Sequence, residues 1–218
     1  LVTGNMKFDA PEACDDTVRE LAAAFGMTPG VTPVLVAGST SPGEEEIVLT
    51  ALTTPGLSGL ALILAPRHRE RFDEVARLLE IRGGPFARRS GLRNDRGARV
   101  FLLDTLGELP AAYRLATVAF VGGSLVPRGG QNLIEPASAG VPVLFGPHTQ
   151  NFASIADALI ASRAGLKVTD AGSLADTLMT LLADPDSGRR MGAAGRGLVS
   201  AHRGATRRTI DQFRPFLT

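Results

Sequence analysis

The stretch Pro33-Val34-Leu35-Val36-Ala37-Gly38-Ser39-Thr40-Ser41-Pro42-Gly43-Glu44-Glu45-Glu46 passes from an unbroken apolar run, through a turn of small residues, into three consecutive carboxylates. A short apolar run without alternation reads as a strand covered on both faces. Behind it, Ser41 with Glu44 three residues on matches a capping box, and Pro42 falls at the favoured first helical position. The three carboxylates complement the dipole of a helix starting there. Strand, tight turn and helix form the repeating unit of a parallel sheet wrapped by helices. Working outward, 60–65, 98–103, 118–122 and 141–145 repeat the apolar signature, and 166–168 offers a sixth strand. Between them, residues 71–81 carry Phe72, Val75, Leu78 and Leu79 at helical spacing, as 173–183 carry Leu174, Leu178, Leu181 and Leu182. The expectation is an α/β fold, a doubly wound parallel sheet, with ligands in the crevice beyond the carboxyl ends of its strands. Residues 83–97, rich in Gly, Arg and Ser, are expected to form a solvated surface loop.

The 218 residues, 44% hydrophobic and 21% charged, suffice for one well-filled core and exclude both a disulfide-stapled miniprotein and wholesale disorder. Lys and Arg number 23 against 22 Asp and Glu, a net charge of +1, so no global field recommends nucleic acid or an anionic membrane as partner. Cys14 is the only cysteine, which excludes an intrachain disulfide and a four-thiolate metal site and fits a reducing compartment. No apolar run approaches the roughly 18 residues of a membrane span and no signal-peptide pattern opens the chain, so the chain as given is expected to be soluble. It opens on Leu1-Val2-Thr3-Gly4, without Met, and is expected to be a piece of a longer protein.

The loops after the strands carry the candidate chemistry. Gly38, Ser39 and Thr40 offer close backbone approach and two hydroxyls beside a helix start, where an anionic group could be held; the capping box explains the same residues without a ligand. After the second strand, Pro66-Arg67 fixes a planar guanidinium at the strand end, suited to a phosphate, although Arg67 also reads as a surface residue in a helix-start cluster with Glu70. His68 and His148 stand on different loops with no further ligand at metal spacing, so no metal is expected. In Asp104-Thr105-Leu106-Gly107-Glu108-Leu109-Pro110, Gly107 lets backbone amides and carbonyls reach the edge of a base. On composition alone the better reading is that Asp104 or Thr105 caps the helix carrying Leu109, Tyr113 and Leu115. The strongest signal is 122–136, where Gly122-Gly123 and Gly129-Gly130 flank a short loop leading to a helix near Glu135-Pro136. More glycines stand there than a helix cap needs, and Glu135 is placed to accept both hydroxyls of a ribose. Neither a three-glycine dinucleotide fingerprint nor a Gly-Lys-Ser/Thr phosphate loop occurs, which weighs against hydride transfer and ATP hydrolysis.

These motifs resemble a known family. Gly4-Asn5-Met6-Lys7-Phe8-Asp9, Ala37-Gly38-Ser39-Thr40 with Gly43-Glu44-Glu45-Glu46, Pro66-Arg67-His68 with Glu70-Arg71-Phe72, residues 120–136, and Val143-Leu144-Phe145-Gly146-Pro147-His148-Thr149 with Asn151-Phe152 look like the carboxyl-terminal half of 3-deoxy-D-manno-octulosonic acid (Kdo) transferases. The resemblance covers essentially the whole chain. It implies that residues 1–218 are the Rossmann-like, donor-binding half of a two-domain GT-B glycosyltransferase that moves Kdo from CMP-Kdo to a lipid A precursor in lipopolysaccharide biosynthesis. The transfer is expected to be inverting and to need neither metal nor cofactor. The resemblance further implies CMP contacts at Pro66 and Arg67, at Leu106, Gly107 and Glu108, and at Asn132, Leu133, Ile134 and Glu135. The general base, a Glu, and the membrane-facing surface at the cytoplasmic face of the inner membrane would belong to an amino-terminal acceptor domain absent from this chain. Gln131, Ser41-Pro42 and Gln150 depart from the usual pattern, on the side of the site expected to face the sugar. The nearest rival is another GT-B UDP-sugar transferase or epimerase domain; a more distant one is a non-catalytic nucleotide-binding module.

Overall fold

In the computed structural model, which describes residues 6–9, 13–91 and 93–213, the opening stretch folds as read: β1 (Val34–Thr40) leads through a tight turn into α2 (Glu44–Ala51). Ahead of them lies α1 (Asp15–Ala24), and after them come β2 (Ala61–Pro66), α3 (Phe72–Arg82), β3 (Phe86–Arg88), β4 (Val100–Leu102), α4 (Leu109–Leu115), β5 (Val118–Val121) and α5 (Ile134–Ala139). The chain continues through β6 (Val143–Phe145), α6 (Ala153–Ala161), β7 (Gly165–Lys167), α7 (Ala171–Ala183), α8 (Pro185–His202) and α9 (Ala205–Phe213). Residues Leu1 to Gly4, and Asn5 of the first resemblance motif, lie outside the described residues.

The strands form one sheet in the order β3-β4-β2-β1-β5-β6-β7, with every neighbouring pair parallel. The unbroken apolar runs follow from this. The pleat sends Leu35 and Ala37 of β1 to one face, with Leu62, Leu64, Phe120 and Leu144 and the helical residues Val48, Leu174 and Leu178. It sends Val34 and Val36 to the other face, with Ile63, Phe101, Ala119, Leu21 and Tyr113. A third cluster joins Val121, Val143 and Phe145 to Ile134, Leu159 and Val199 under α5, α6 and α8.

From β1 the chain passes to β2 and on to β3 at the edge, comes back to β4 between β2 and β3, then crosses to β5 at the other side of β1 and winds the opposite way. The strand order therefore reverses between β1 and β5, and a crevice opens beyond their carboxyl ends. Among the described residues no helix is long and apolar enough to cross a membrane.

Two expectations change. Residues 83–97 are not simply a solvated loop: Phe86 and Ala87 are buried in β3, an edge strand paired with β4 from Phe86 to Val100. A three-residue strand among arginines is too short to show a period, and Arg88, Arg89 and Arg93 are ion-paired instead of bathing in water. The capping box forms only by half. Helix α2 starts at Glu44 behind Gly43, whose φ is 92°, so Pro42 precedes the helix and no Ser41 side-chain cap exists. The Ser41 amide does donate to Glu44 Oε2 at 2.8 Å.

Candidate functional site

The loop after β5 is built around Glu44, whose side chain is wholly buried. Its Oε2 accepts from the amides of Ser41 (2.8 Å) and Gly123 (2.6 Å), and its Oε1 from those of Ser124 and Leu125, both at 2.9 Å. Four amides thus converge on an anion that the chain itself provides. Of the glycine-rich stretch read from sequence as a cradle for a ligand, the amides of Gly122 to Leu125 are spoken for, Gly123 included. The glycines serve close packing of backbone on backbone: a Cβ on Gly122 would lie 2.5 Å from Thr40 Cα, and one on Gly146 2.1 Å from the Ser124 carbonyl oxygen. Thr40 is equally committed, its hydroxyl donating to Glu45 Oε1 at 2.7 Å, while Glu45 is gripped by both terminal nitrogens of Arg71. The acidic run after Gly43 is therefore more than a complement to the helix dipole, since two of its three carboxylates are internal anchors. Ser39, half-buried at the crevice, has a left-handed φ of 54°, and the β1 to β2 register shifts around it. Strain of this kind in a non-glycine residue concentrates at functional sites.

Pro66 ends β2, and the Arg67 amide donates to the Thr40 carbonyl at 3.0 Å, which aims the side chain across the crevice. There its Nε donates to Gln131 Oε1 at 3.1 Å. The next residue, Asn132, accepts from the Ile134 amide at 3.1 Å through Oδ1 and donates to Glu135 Oε1 at 2.9 Å through Nδ2, holding the start of α5 and its carboxylate together. Leu133 and Ile134 point into the core, so only their main chain can meet a ligand. Burial raises the Glu135 pKa above its ordinary 4.5, opposed by the Asn132 hydrogen bond and the charge of Arg67. Beneath it lies Tyr113 of α4, fully buried, its hydroxyl held against Gly38, where a Cβ would come within 2.1 Å. Burial, and then the negative charge of Glu135, push this phenol well above its usual range. In the sequence Tyr113 reads as one more apolar position of a helix.

The loop after β4 leads into α4. Neither Asp104 nor Thr105 caps α4, which starts at Leu109 without a side-chain cap, and this overturns the preferred reading from composition. Asp104 is buried and accepts from Arg88 Nε (2.7 Å), the Ser90 amide (2.8 Å) and the Ser90 hydroxyl (2.6 Å). Burial alone would raise its pKa, but those Ser90 and Arg88 contacts outweigh it and hold the carboxyl below the ordinary value. Glu108 accepts from Arg89 Nε and Nη2 and from the Thr105 hydroxyl. Between the two anchored carboxylates Leu106 stands exposed and Gly107 takes a φ of 84°. Sequence reading missed Arg88, Arg89 and Ser90 because they lie in the segment taken for a loop. Among the described residues no group of three His, Cys, Asp or Glu side chains is placed to hold a metal.

No family model matches the chain. It is 41% identical over 225 residues to a 3-deoxy-D-manno-octulosonic acid transferase of Bordetella pertussis, covering 99% of this chain and 51% of that protein. With the enzyme of that name from Haemophilus influenzae it shares 37% identity over 221 residues, covering 99% of this chain and 51% of the relative. The crystal structure of the C-terminal CMP-Kdo binding domain of WaaA from Acinetobacter baumannii superposes with a TM-score of 0.76 at 34% identity, covering 84% of this chain and 96% of that one. The chain belongs to the 3-deoxy-D-manno-octulosonic acid transferase family. It spans about half the length of the curated Kdo transferases it matches. Anabaena HepE in complex with UDP and glucose, at 16% identity and a TM-score of 0.65, shares the fold, which is that of the C-terminal half of GT-B glycosyltransferases.

Proposed function

We propose that this Kdo transferase chain is the donor-nucleotide domain of an enzyme that moves Kdo from CMP-Kdo to a lipid A precursor, with the acceptor site supplied by an amino-terminal domain. What supports the reading is that Arg67 reaches Gln131 next to the Asn132 to Glu135 helix start, and that the loop of Leu106, Gly107 and Glu108 leads into α4, whose Leu109 packs against Gly38 at the end of β1. Each group suits one part of CMP. The Arg67 fork meets the phosphate, Glu135 accepts the ribose hydroxyls, and the main chain of the 106–108 loop meets the cytosine edge. Of the residues at the end of β1, Ser39 is left to meet the phosphate or the sugar acid, since the Thr40 hydroxyl is bonded to Glu45 and the Gly123 amide to Glu44.

In the reaction, the acceptor hydroxyl oxygen bonds to the anomeric carbon of Kdo while the bond from that carbon to the CMP phosphate oxygen breaks. The electron pair leaves with CMP, and the hydroxyl proton passes to a general base on the amino-terminal domain, a Glu by family resemblance. Attack opposite the leaving phosphate inverts the anomeric carbon. Arg67 stabilises the charge that builds on the departing phosphate. On this reading the 218-residue chain binds CMP but transfers no Kdo by itself, and the whole enzyme works at the cytoplasmic face of the inner membrane through its other half.

Calorimetric titration with CMP and UDP tests the proposal. CMP is expected to bind more tightly, and Arg67→Ala to weaken CMP by about tenfold or more, as for loss of a charge-assisted hydrogen bond. Undiminished CMP affinity in that variant removes Arg67 from the site. Tighter UDP binding transfers the reading to a UDP-sugar enzyme, and Kdo transfer by this chain alone contradicts the division of labour.

A further inference from the structure

The segment 83–97 is tied to both ends of the loop that would read the base. Arg88 and Ser90 hold Asp104 at its start, and Arg89 holds Glu108 at its end with contacts of 3.0 and 3.1 Å from Nε and 2.8 Å from Nη2. Arg89 is itself fixed in register, its amide donating to the Leu102 carbonyl at 2.9 Å where β3 lies along β4. Glu108 receives three donor hydrogens: the single Arg89 Nε–H is shared between Oε1 and Oε2, Nη2 donates to Oε1, and the Thr105 hydroxyl donates to Oε2. The carboxylate is thus engaged from within the chain by the guanidinium fork and a hydroxyl, and its first task is to hold the loop. What the loop presents toward a ligand is the main chain of Leu106 and Gly107 and the Glu108 amide. Its carbonyls and amides can discriminate only if they are held still.

Cytosine and uracil have nearly the same shape and differ in polarity along one edge: cytosine offers an amino donor beside a ring acceptor, uracil a carbonyl acceptor beside a ring donor. A fixed carbonyl next to a fixed amide fits the first pattern and leaves two mismatched pairs with the second. A loop free to turn Gly107, whose φ of 84° lies in the left-handed region that favours glycine, could present either pattern. We infer that Arg89 is the positioning residue that makes this site select cytosine over uracil, by locking Glu108 and with it the main chain of the base-reading loop. The inference rests on the donor-nucleotide reading above.

The test is calorimetry with CMP and with UMP on the parent chain, Arg89→Ala, Arg89→Lys and Arg93→Ala. Arg93 is a control from the same segment that pairs with Asp95 and Glu80 and touches neither Asp104 nor Glu108. The parent is expected to prefer CMP by about tenfold or more. Arg89→Ala is expected to lose most of that ratio by weakening CMP while leaving UMP nearly unchanged. Arg89→Lys, which keeps the charge without the fork, should fall between, and it serves as the measurement if the Ala variant fails to fold. Arg93→Ala should keep the parental ratio. An unchanged ratio in both Arg89 variants, or equal weakening of both nucleotides, makes Arg89 merely structural and overturns the inference alone. A parent that binds CMP and UMP equally also overturns it. A parent that binds no CMP overturns the donor reading, and this inference with it.

Discussion

Glu44 does at the scale of one residue what a bound anion often does at a helix start. Its two oxygens take amides from its own turn and from a loop 79 to 81 positions away, so one side chain joins the carboxyl ends of β1 and β5. Removing it leaves four inward-facing N–H groups without acceptors, at about 1–3 kcal/mol each. Glu44→Ala is therefore expected to lose about 4 kcal/mol or more, a large part of the 5–15 kcal/mol typical of a whole domain, read from the midpoint of urea unfolding at constant slope. Glu44→Gln should be milder, because its amide oxygen still accepts while its NH2 faces donors. A loss under about 1 kcal/mol for the Ala variant would show that water takes over the four amides. The sequence made the acidic triplet visible but not its partners. A carboxylate in the first turn of a helix looks alike whether it faces solvent or a distant loop, and only the tertiary contact decides. For the same reason Tyr113 was legible as a helix-face residue and not as the floor beneath Glu135.

Among the elements, the continuous apolar strands were legible because burial on both faces removes the polar half of the period, which is the strongest signal a strand can leave. Strand β3 was not, and the base loop was consequently read as a cap without its brace. Helix α8 shows how an element can hide two opposite meanings in one residue type. At Gly192 an added Cβ would lie 1.9 Å from the Gly140 carbonyl oxygen and 2.6 Å from its carbon, both backbone, where α8 crosses the end of α5. At Gly197 nothing lies within 4 Å. Glycine to alanine in a helix ordinarily gains up to about 1 kcal/mol. Gly197→Ala should follow that rule and raise Tm by about 2–4 °C. Gly192→Ala should reverse it and lose about 2–3 kcal/mol, because overpacking against backbone forces the helices apart. Melting both variants side by side checks the crossing: if Gly192→Ala is as stable as Gly197→Ala, α8 does not pack on the Gly140 turn as described.

At the scale of the molecule the doubly wound parallel class was readable from the alternation of apolar runs and helical spacing; the strand order, the switch point between β1 and β5, and the contact between the segment Met6–Asp9 and α9 were not. Asp9, in the short turn Met6–Asp9, accepts the amides of Gly204 at 2.6 Å and Thr206 at 2.7 Å at the start of α9. Beside it Phe8 stacks on His202 of α8, and Lys7 lies over the ring of Phe152. Hydrogen bonds from the Thr206 amide and hydroxyl, then from the Gly204 amide, lower the Asp9 pKa below its ordinary 3.8. A carboxylate with a depressed pKa holds its partners fully above the ordinary value and releases them as pH falls through the lowered one. The tether should therefore be intact at neutral pH and fail only in acid below 3.8. Hydrogen exchange by mass spectrometry, corrected for the intrinsic pH dependence of exchange, tests this. At pH 7 Asp9→Asn should exchange faster than the parent over α9 alone, with β1 and β5 as protected as before, since the sheet core does not depend on the tether. Lowering the pH below 3.8 should bring the parent toward the variant, because protonation removes the charge that the substitution removes. Equal exchange over α9 at pH 7, or loss of protection spread through the sheet, contradicts a local clasp between Asp9 and the start of α9.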